Sequence, residues 1–72
     1  MNKRIKRFIN TMGVEQAIIY DSYTIDYFID HKYDVGHRFI ALLIQKEKEP
    51  ILFLNKLFNA PTNIETVGFK DH

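Results

Sequence analysis

The sequence predicts an α/β domain in which helices flank a mixed β-sheet. Two observations lead to this prediction. Apolar residues at helical spacing, near the amino terminus and again after residue 21, are interleaved with short runs of β-forming residues. Two predicted strands with apolar interiors, 38–45 and 51–54, are separated by the charged segment KEKE and Pro50, which is typical of a β-hairpin. At 72 residues, the chain is one small domain or a part of one.

Two helices are predicted. The first covers residues 3–12, with Asn2 as its N-cap, and ends because Gly13 supplies a positive φ. Its apolar face consists of residues at helical spacing: Ile5, Phe8, Ile9 and Met12. The second helix is capped by Asp21 or Ser22 and runs through residue 29. The residues that we expect to face the core from this helix are Ile25, Phe28 and Ile29.

Four strands are predicted around these helices. Residues 16–20 form a short buried strand, and residues 64–69 form a weaker one after a helical turn at 56–60 that Pro61 stops. In the central strand, 38–45, both sets of alternate positions are apolar: Ile40, Leu42 and Ile44, and Phe39, Ala41 and Leu43. We therefore expect this strand to be covered on both faces. Because two short helices shield only one face of such a sheet, the chain is predicted to self-associate.

Composition limits the classes of function. The sequence has no cysteine, which excludes a disulfide framework, a thiolate zinc site and a cysteine nucleophile. Ten basic residues oppose nine acidic ones, so the net charge of +1 predicts neither a nucleic-acid nor a membrane partner. No signal peptide is recognisable, and no apolar run approaches the roughly 18 residues of a membrane span. We therefore expect a cytoplasmic protein, whose amino-terminal basic residues form a solvated helix face: Lys3, Arg4, Lys6 and Arg7.

Several polar or aromatic groups could in principle carry chemistry. His31, Asp34 and His37 have side chains that suit a divalent metal ion, but they lie in a glycine-containing loop without metal-motif spacing, and a solvated loop is the favoured interpretation. Asp26 and Asp30 would share one helix face, where an outer polar surface is favoured over an acid/base pair. The aromatic residues follow core faces rather than a base-stacking platform. The chain is thus predicted to contain no catalytic and no metal-binding residues.

The order of several sequence segments resembles the pattern of a known protein family. Residues 24–31 read TIDYFIDH, residues 36–39 read GHRF, and an apolar strand, a charged turn, Pro50 and a second apolar strand follow. This order resembles the amino-terminal domain of the creatinase, aminopeptidase P and prolidase family, with Asn-Ile-x-Tyr-Leu-Thr-Gly-Phe, a loop, Gly-Glu-Arg-Phe and two strands. Asp30 stands where that family commonly has Gly, and His37 stands where it has Glu.

The resemblance implies a fold with ribonuclease H-like layering, of which residues 1–72 are the first part. The catalytic carboxy-terminal domain would be absent, together with its two divalent ions (manganese, cobalt or zinc) held by Asp, Asp, His, Glu and Glu. In the family, the amino-terminal domain contributes to a homodimer, and in some members the loop after the second helix reaches over the active site of the neighbouring subunit. The residues implied to lie near a substrate are His31, Asp34, His37 and Arg38.

Two functions follow as hypotheses. The first is a non-catalytic amino-terminal domain of an Xaa-Pro dipeptidase or aminopeptidase P-like metallopeptidase, a hydrolase, whose partners are its own catalytic domain and a second copy. The alternative is a free-standing α/β module for protein interaction or dimerisation, without an enzymatic parent. In either case we expect the chain alone to have no peptidase activity.

Overall fold

A computed structural model describes residues 2–36 and 38–70. Its elements, in chain order, are α1 (Lys3–Thr11), β1 (Gln16–Ile19), α2 (Ser22–Ile29), β2 (Ile40–Gln45), β3 (Ile51–Asn55) and β4 (Glu65–Phe69). The strands form one sheet in the order β1-β2-β3-β4. The pairs β1–β2 and β2–β3 are antiparallel, whereas β3–β4 is parallel. The predicted mixed sheet, with its central hairpin, is confirmed.

Helix α1 begins as predicted but ends differently. The Asn2 side chain accepts a hydrogen bond from the Ile5 backbone N–H at 2.9 Å, so Asn2 is the N-cap. The helix ends at Thr11, and Met12 follows in an extended conformation with φ −75° and ψ 134°. The prediction that Gly13 ends the helix with a positive φ is wrong, because Gly36 is the glycine with positive φ among the described residues. An extended residue is enough to leave the helix.

Helix α2 matches the prediction at both ends. Asp21 is the N-cap and accepts a hydrogen bond from the Thr24 backbone N–H at 3.0 Å. The helix stops at Asp30, which adopts the left-handed conformation with φ 53° and ψ 44°. This conformation favours glycine, because a side chain is crowded by its own backbone there.

The side chains of the N-cap Asn2 and of Arg4 in the first turn connect α1 to the last turn of α2. The Asn2 amide Nδ2 donates a hydrogen bond to the Phe28 carbonyl. The Arg4 guanidinium donates to the Tyr27 carbonyl at 2.6 Å, lies 4.5 Å from the centre of the Tyr27 ring, and approaches the Asp30 carboxylate to 3.7 Å. These contacts satisfy carbonyls that the end of α2 leaves without a helical partner.

The core lies on one face of the sheet, between the strands and both helices. The side chains on this covered face alternate along the central strands: Ile40, Leu42, Ile44, Leu52 and Leu54. They pack with buried residues of the two helices: Ile5, Ile25, Phe28 and Ile29. All of these are apolar, and the inward faces predicted for α1 and α2 are confirmed.

The other side of the sheet, which we call the open face, is only partly covered. The open face comprises Ile18, Leu43, Phe53 and Val67, with Phe39 at its border. Ile18 and Val67 are 52% and 44% exposed. In the central strand itself, Ala41 is buried and Leu43 is half-buried on this face, whereas Phe39 just before the strand is 50% exposed, so the predicted cover on both faces is present only in part. β1 is an edge strand rather than a buried one, and β2 begins at Ile40 rather than at residue 38.

The segment after β3 is a turn and not the predicted helical turn over 56–60. The Phe58 backbone N–H donates to the Asn55 carbonyl at 3.0 Å, which closes a four-residue turn. The chain then leads to β4 as predicted. No helix within the described ranges is long and apolar enough to cross a membrane.

Candidate functional site

The loop between α2 and β2 is anchored by two apolar residues that the sequence did not single out. Tyr33 and Val35 are buried, whereas Lys32 and Asp34 are exposed, so the loop alternates between the core and solvent. The Tyr33 hydroxyl donates to the Asn59 carbonyl at 2.6 Å, and its ring packs edge-on against Phe58. The alternation of apolar and polar residues in KYDVG could have revealed these anchors. Residues 33 and 35 thus fasten the described part of the loop to the core.

Asp26 in α2 forms hydrogen bonds with the same loop. Its carboxylate accepts a hydrogen bond from the Tyr33 backbone N–H at 3.3 Å, and its carbonyl accepts one from the His31 N–H at 3.3 Å. Burial, and secondarily the negative charge of Asp26, raises the pKa of the Tyr33 phenol above 10.0. Asp26 and Asp30 therefore have structural contacts, the first with the loop and the second with Arg4.

The structure places three of the four predicted substrate-proximal residues. The His31 ring lies 4.3 Å from the Tyr33 ring, and the Asp34 side chain is exposed. Arg38 is exposed, and its backbone N–H donates to the Val35 carbonyl at 3.0 Å, which turns the chain into β2. His37 lies outside the described residues. The role of these residues near a substrate stays a prediction.

Within residues 2–36 and 38–70, no group of three or more His, Asp or Glu side chains is arranged to hold a metal ion. A two-metal centre therefore does not fit the described part of this chain.

A second concave feature lies at the end of the sheet where the loop enters β2. Here β2 begins while β3 and β4 both end, so residues from three strands converge. They line a groove of about 410 Å³, which we call the basic groove: Arg38, Asn55, Lys56, Leu57 and Lys70. From this set, the sequence indicated only Arg38 as a site residue, because the convergence depends on strand order.

Asn55 is the unusual residue of the basic groove. It is 2% exposed, although it is polar, and it is covered on the side of the sheet where the Phe39 and Phe69 rings meet with their centres 5.7 Å apart. Its Oδ1 accepts a hydrogen bond from the Leu57 backbone N–H at 2.9 Å. Its Nδ2 is buried without a hydrogen-bond partner among the described residues.

Comparison with solved structures identifies the fold of this chain. A proline dipeptidase from Streptococcus pneumoniae TIGR4 superposes with a TM-score of 0.81 at 22% identity, over 97% of this chain. The creatinase/prolidase N-terminal domain of an X-Pro dipeptidase from Streptococcus pyogenes superposes with a TM-score of 0.76 at 26% identity, over 94% of this chain. This chain has the fold of the creatinase/prolidase amino-terminal domain. The resemblance noted in the sequence is thereby confirmed.

The creatinase/prolidase-type fold is matched only in part by this chain. A Creatine_N superfamily domain of a dipeptidase from Streptococcus thermophilus superposes with a TM-score of 0.71 at 25% identity, and this chain covers 55% of it. The coverage is 56% and 55% for the two structures above, so the chain spans about half the length of the structures that it matches. No protein-family model matches the sequence. No curated protein matches it either.

Proposed function

We propose that this chain is the first part of the non-catalytic amino-terminal domain of an Xaa-Pro dipeptidase or aminopeptidase P-like metallopeptidase. The observation that carries the proposal is the superposition of at least 94% of the chain on structures of proline and Xaa-Pro dipeptidases, three of which are described as amino-terminal or Creatine_N domains. The parent reaction would be metal-assisted hydrolysis of an Xaa-Pro peptide bond in the cytoplasm.

The proposal assigns the chemistry to a separate catalytic domain. The described residues hold no metal-ligand group, so the manganese, cobalt or zinc ions of the parent enzyme would be bound outside this chain. The contribution of this chain would be to dimer assembly and to the shape of the neighbouring active site. The anchored loop supports this role, because Tyr33 and Val35 hold its backbone while His31, Asp34 and Arg38 remain exposed.

A second candidate is a free-standing module for protein interaction or dimerisation. The observation that favours it is the core, because the helices of this chain cover one face of the central strands β2 and β3. Such a domain could fold without a catalytic partner, and its open face would then be the interaction surface.

The test is the gene product that carries this sequence. We expect its open reading frame to encode a second domain with Asp, Asp, His, Glu and Glu as metal ligands, and the purified product to hydrolyse Xaa-Pro dipeptides with added manganese, cobalt or zinc. The 72-residue chain is the control and should be inactive with the same metals. A reading frame without that second domain would refute the peptidase proposal and favour the module, as would a full product without metal-dependent activity.

A further inference from the structure

The outer edge of β1 carries backbone groups that pair with no other described residue. β1 is the first strand of the sheet and has β2 as its neighbour. At the start of this pair, the Lys46 N–H donates to the Glu15 carbonyl at 3.1 Å, and the register places these two residues opposite each other. Hydrogen-bonded and non-hydrogen-bonded pairs alternate along an antiparallel ladder. Ala17 and Ile19 therefore direct their backbone groups towards β2.

Gln16 and Ile18, which lie between these positions, direct their backbone N–H and C=O groups to the free edge instead. No hydrogen bond reaches these groups within residues 2–36 and 38–70. Both residues are exposed. A row of free donors and acceptors along an exposed strand is a template for the pairing of a further strand.

β1 also lacks the features that keep edge strands from pairing. Its sequence, QAII, contains neither a charged residue nor a proline. The strand at the opposite edge, β4, contains Glu65 and is followed by Lys70, and the stem of Lys56 lies against Gly68. Charged side chains at an edge discourage pairing. Of the two edges of the sheet, β1 is therefore the one that is suited to accept another strand.

We propose that β1 pairs in antiparallel orientation with β1 of a second copy of this chain, with the two-fold axis at Ala17. In this register Gln16 of one copy lies opposite Ile18 of the partner copy, and each residue exchanges both backbone hydrogen bonds with the residue opposite. This register pairs both outward-facing residues of both copies. Two four-stranded sheets are thereby joined into one continuous sheet.

Charge favours a second copy as the partner of this edge. Identical surfaces repel each other where they are charged, and β1 has no charged residue. In the register centred on Ala17, Glu15 lies opposite Ile19 of the partner copy, so that no like charges are directly opposed. The exposed Ile18 side chains approach each other diagonally across the axis and remove apolar surface from water. This interface uses the strand edge rather than the open face, and it is independent of whether the chain is part of a peptidase.

Hydrogen exchange of the 72-residue chain tests the pairing directly. The amide hydrogens of Gln16 and Ile18 have no acceptor in a single copy, whereas those of Ala17 and Ile19 bond to β2 at any concentration. At roughly 1 mM protein, we expect the Gln16 and Ile18 amides to exchange about tenfold or more slowly than free amides, and to lose this protection on dilution. Pairing of open faces alone leaves both amides free. Exchange at the rate of free amides, or protection that does not change with dilution, would overturn the proposal.

Two variants at one position separate the backbone donor from the side chain. Gln16→Pro removes the outward N–H and leaves the hydrogen bonds between β1 and β2 in place, whereas Gln16→Ala removes the same side chain and keeps the N–H. In sedimentation equilibrium, the Kd of the Gln16→Pro dimer should be about tenfold or more above that of the Gln16→Ala dimer. Equal Kd values for two folded variants would refute the pairing.

A cysteine at the axis tests the register without weakening the strand. Ala17 would face its own copy as a non-hydrogen-bonded pair with Cα atoms about 4.5 Å apart, which is within the range of a disulfide. The chain has no other cysteine. Thr66→Cys is the matched control, because Thr66 is also half-buried on the covered side of an edge strand. We expect oxidised glutathione to link Ala17→Cys copies about tenfold faster than Thr66→Cys copies. Equal rates would indicate random collision and would contradict the proposed register.

Discussion

Asp30 occupies a backbone conformation that suits a different residue. Its φ of 53° lies in the left-handed region, and it ends α2 where the resembled family commonly has glycine. The compensating contact is the ion pair with Arg4 at 3.7 Å, in which the Asp30 side chain is largely exposed. Exposed ion pairs contribute little to stability. We therefore expect the cost of the left-handed backbone conformation at Asp30 to exceed the stabilisation from its ion pair with Arg4.

We expect Asp30→Gly to raise the free energy of unfolding by up to about 1 kcal/mol, because glycine adopts this conformation without crowding. Urea denaturation measures the change. Asp34→Gly is the matched control, since Asp34 is also an exposed loop aspartate but has a negative φ. It should be neutral or destabilising. A loss of stability in Asp30→Gly would show that the contact with Arg4 matters more than the backbone.

Tyr33 should make stability depend on pH in the alkaline range. Burial raises the pKa of its phenol in the folded state above the value of about 10 in the unfolded chain. The folded state therefore holds the proton more tightly, and stability decreases as the pH rises through 10 towards the folded pKa. Thermal melts from pH 8 to 11 should show a steeper loss for the natural chain than for Tyr33→Phe.

Tyr23→Phe is the control for this comparison, because Tyr23 is 80% exposed and packs against no part of the core. If Tyr33→Phe lost stability with pH as steeply as the natural chain, the burial of the phenol would not be the cause.

Among the elements, the sheet shows what the sequence could and could not predict. The helical spacing of apolar residues predicted both helices, and the charged turn before Pro50 predicted the hairpin. The two faces of β2 could not be ranked, because Leu42 and Leu43 are chemically the same and only the position of the helices distinguishes them. The end of α1 differs from the prediction because glycine permits a positive φ without requiring it. The basic groove escaped prediction because it depends on β4 lying parallel to β3.

The covered and open faces should respond differently to truncation. Leu42 has no exposed surface, and we expect Leu42→Ala to lower the free energy of unfolding by about 2–5 kcal/mol. Phe53, on the open face of β3, is only half-buried, so Phe53→Ala should cost roughly 1–2 kcal/mol despite the larger side chain. Chemical denaturation of both variants tests the ranking. Equal losses would indicate that the open face is covered in solution.

At the scale of the whole molecule, the open face is an apolar surface that the described part of the chain covers only in part. Apolar side chains from all four strands lie on it, including Ile18 and Val67, and the two helices are on the opposite side. Exposed apolar patches of this kind mark interaction surfaces. The same face would be covered by further polypeptide or by a second copy in the proposed dipeptidase.

We expect the chain to self-associate at micromolar concentration, because pairing of open faces removes apolar surface from water. Sedimentation equilibrium measures this. Ile18→Lys should restore a monomer, since it places a charge on that face. Val14→Lys is the control, because Val14 is similarly exposed at 56% but precedes the sheet, and it should leave association unchanged. A natural chain that is monomeric at all concentrations would contradict the prediction.

The parallel pairing of β4 also has a consequence for local opening of the fold. Ile51 pairs with Leu43 across the short hairpin and with Glu65 across the longer connection, and β4 is an edge strand with few buried residues. Pairing over a longer loop forms later, and a sparsely buried edge separates more readily than the centre. Amide hydrogens of β4 should therefore exchange with deuterium faster than those of β2. Equal exchange rates along the sheet would instead indicate that the sheet opens as one unit.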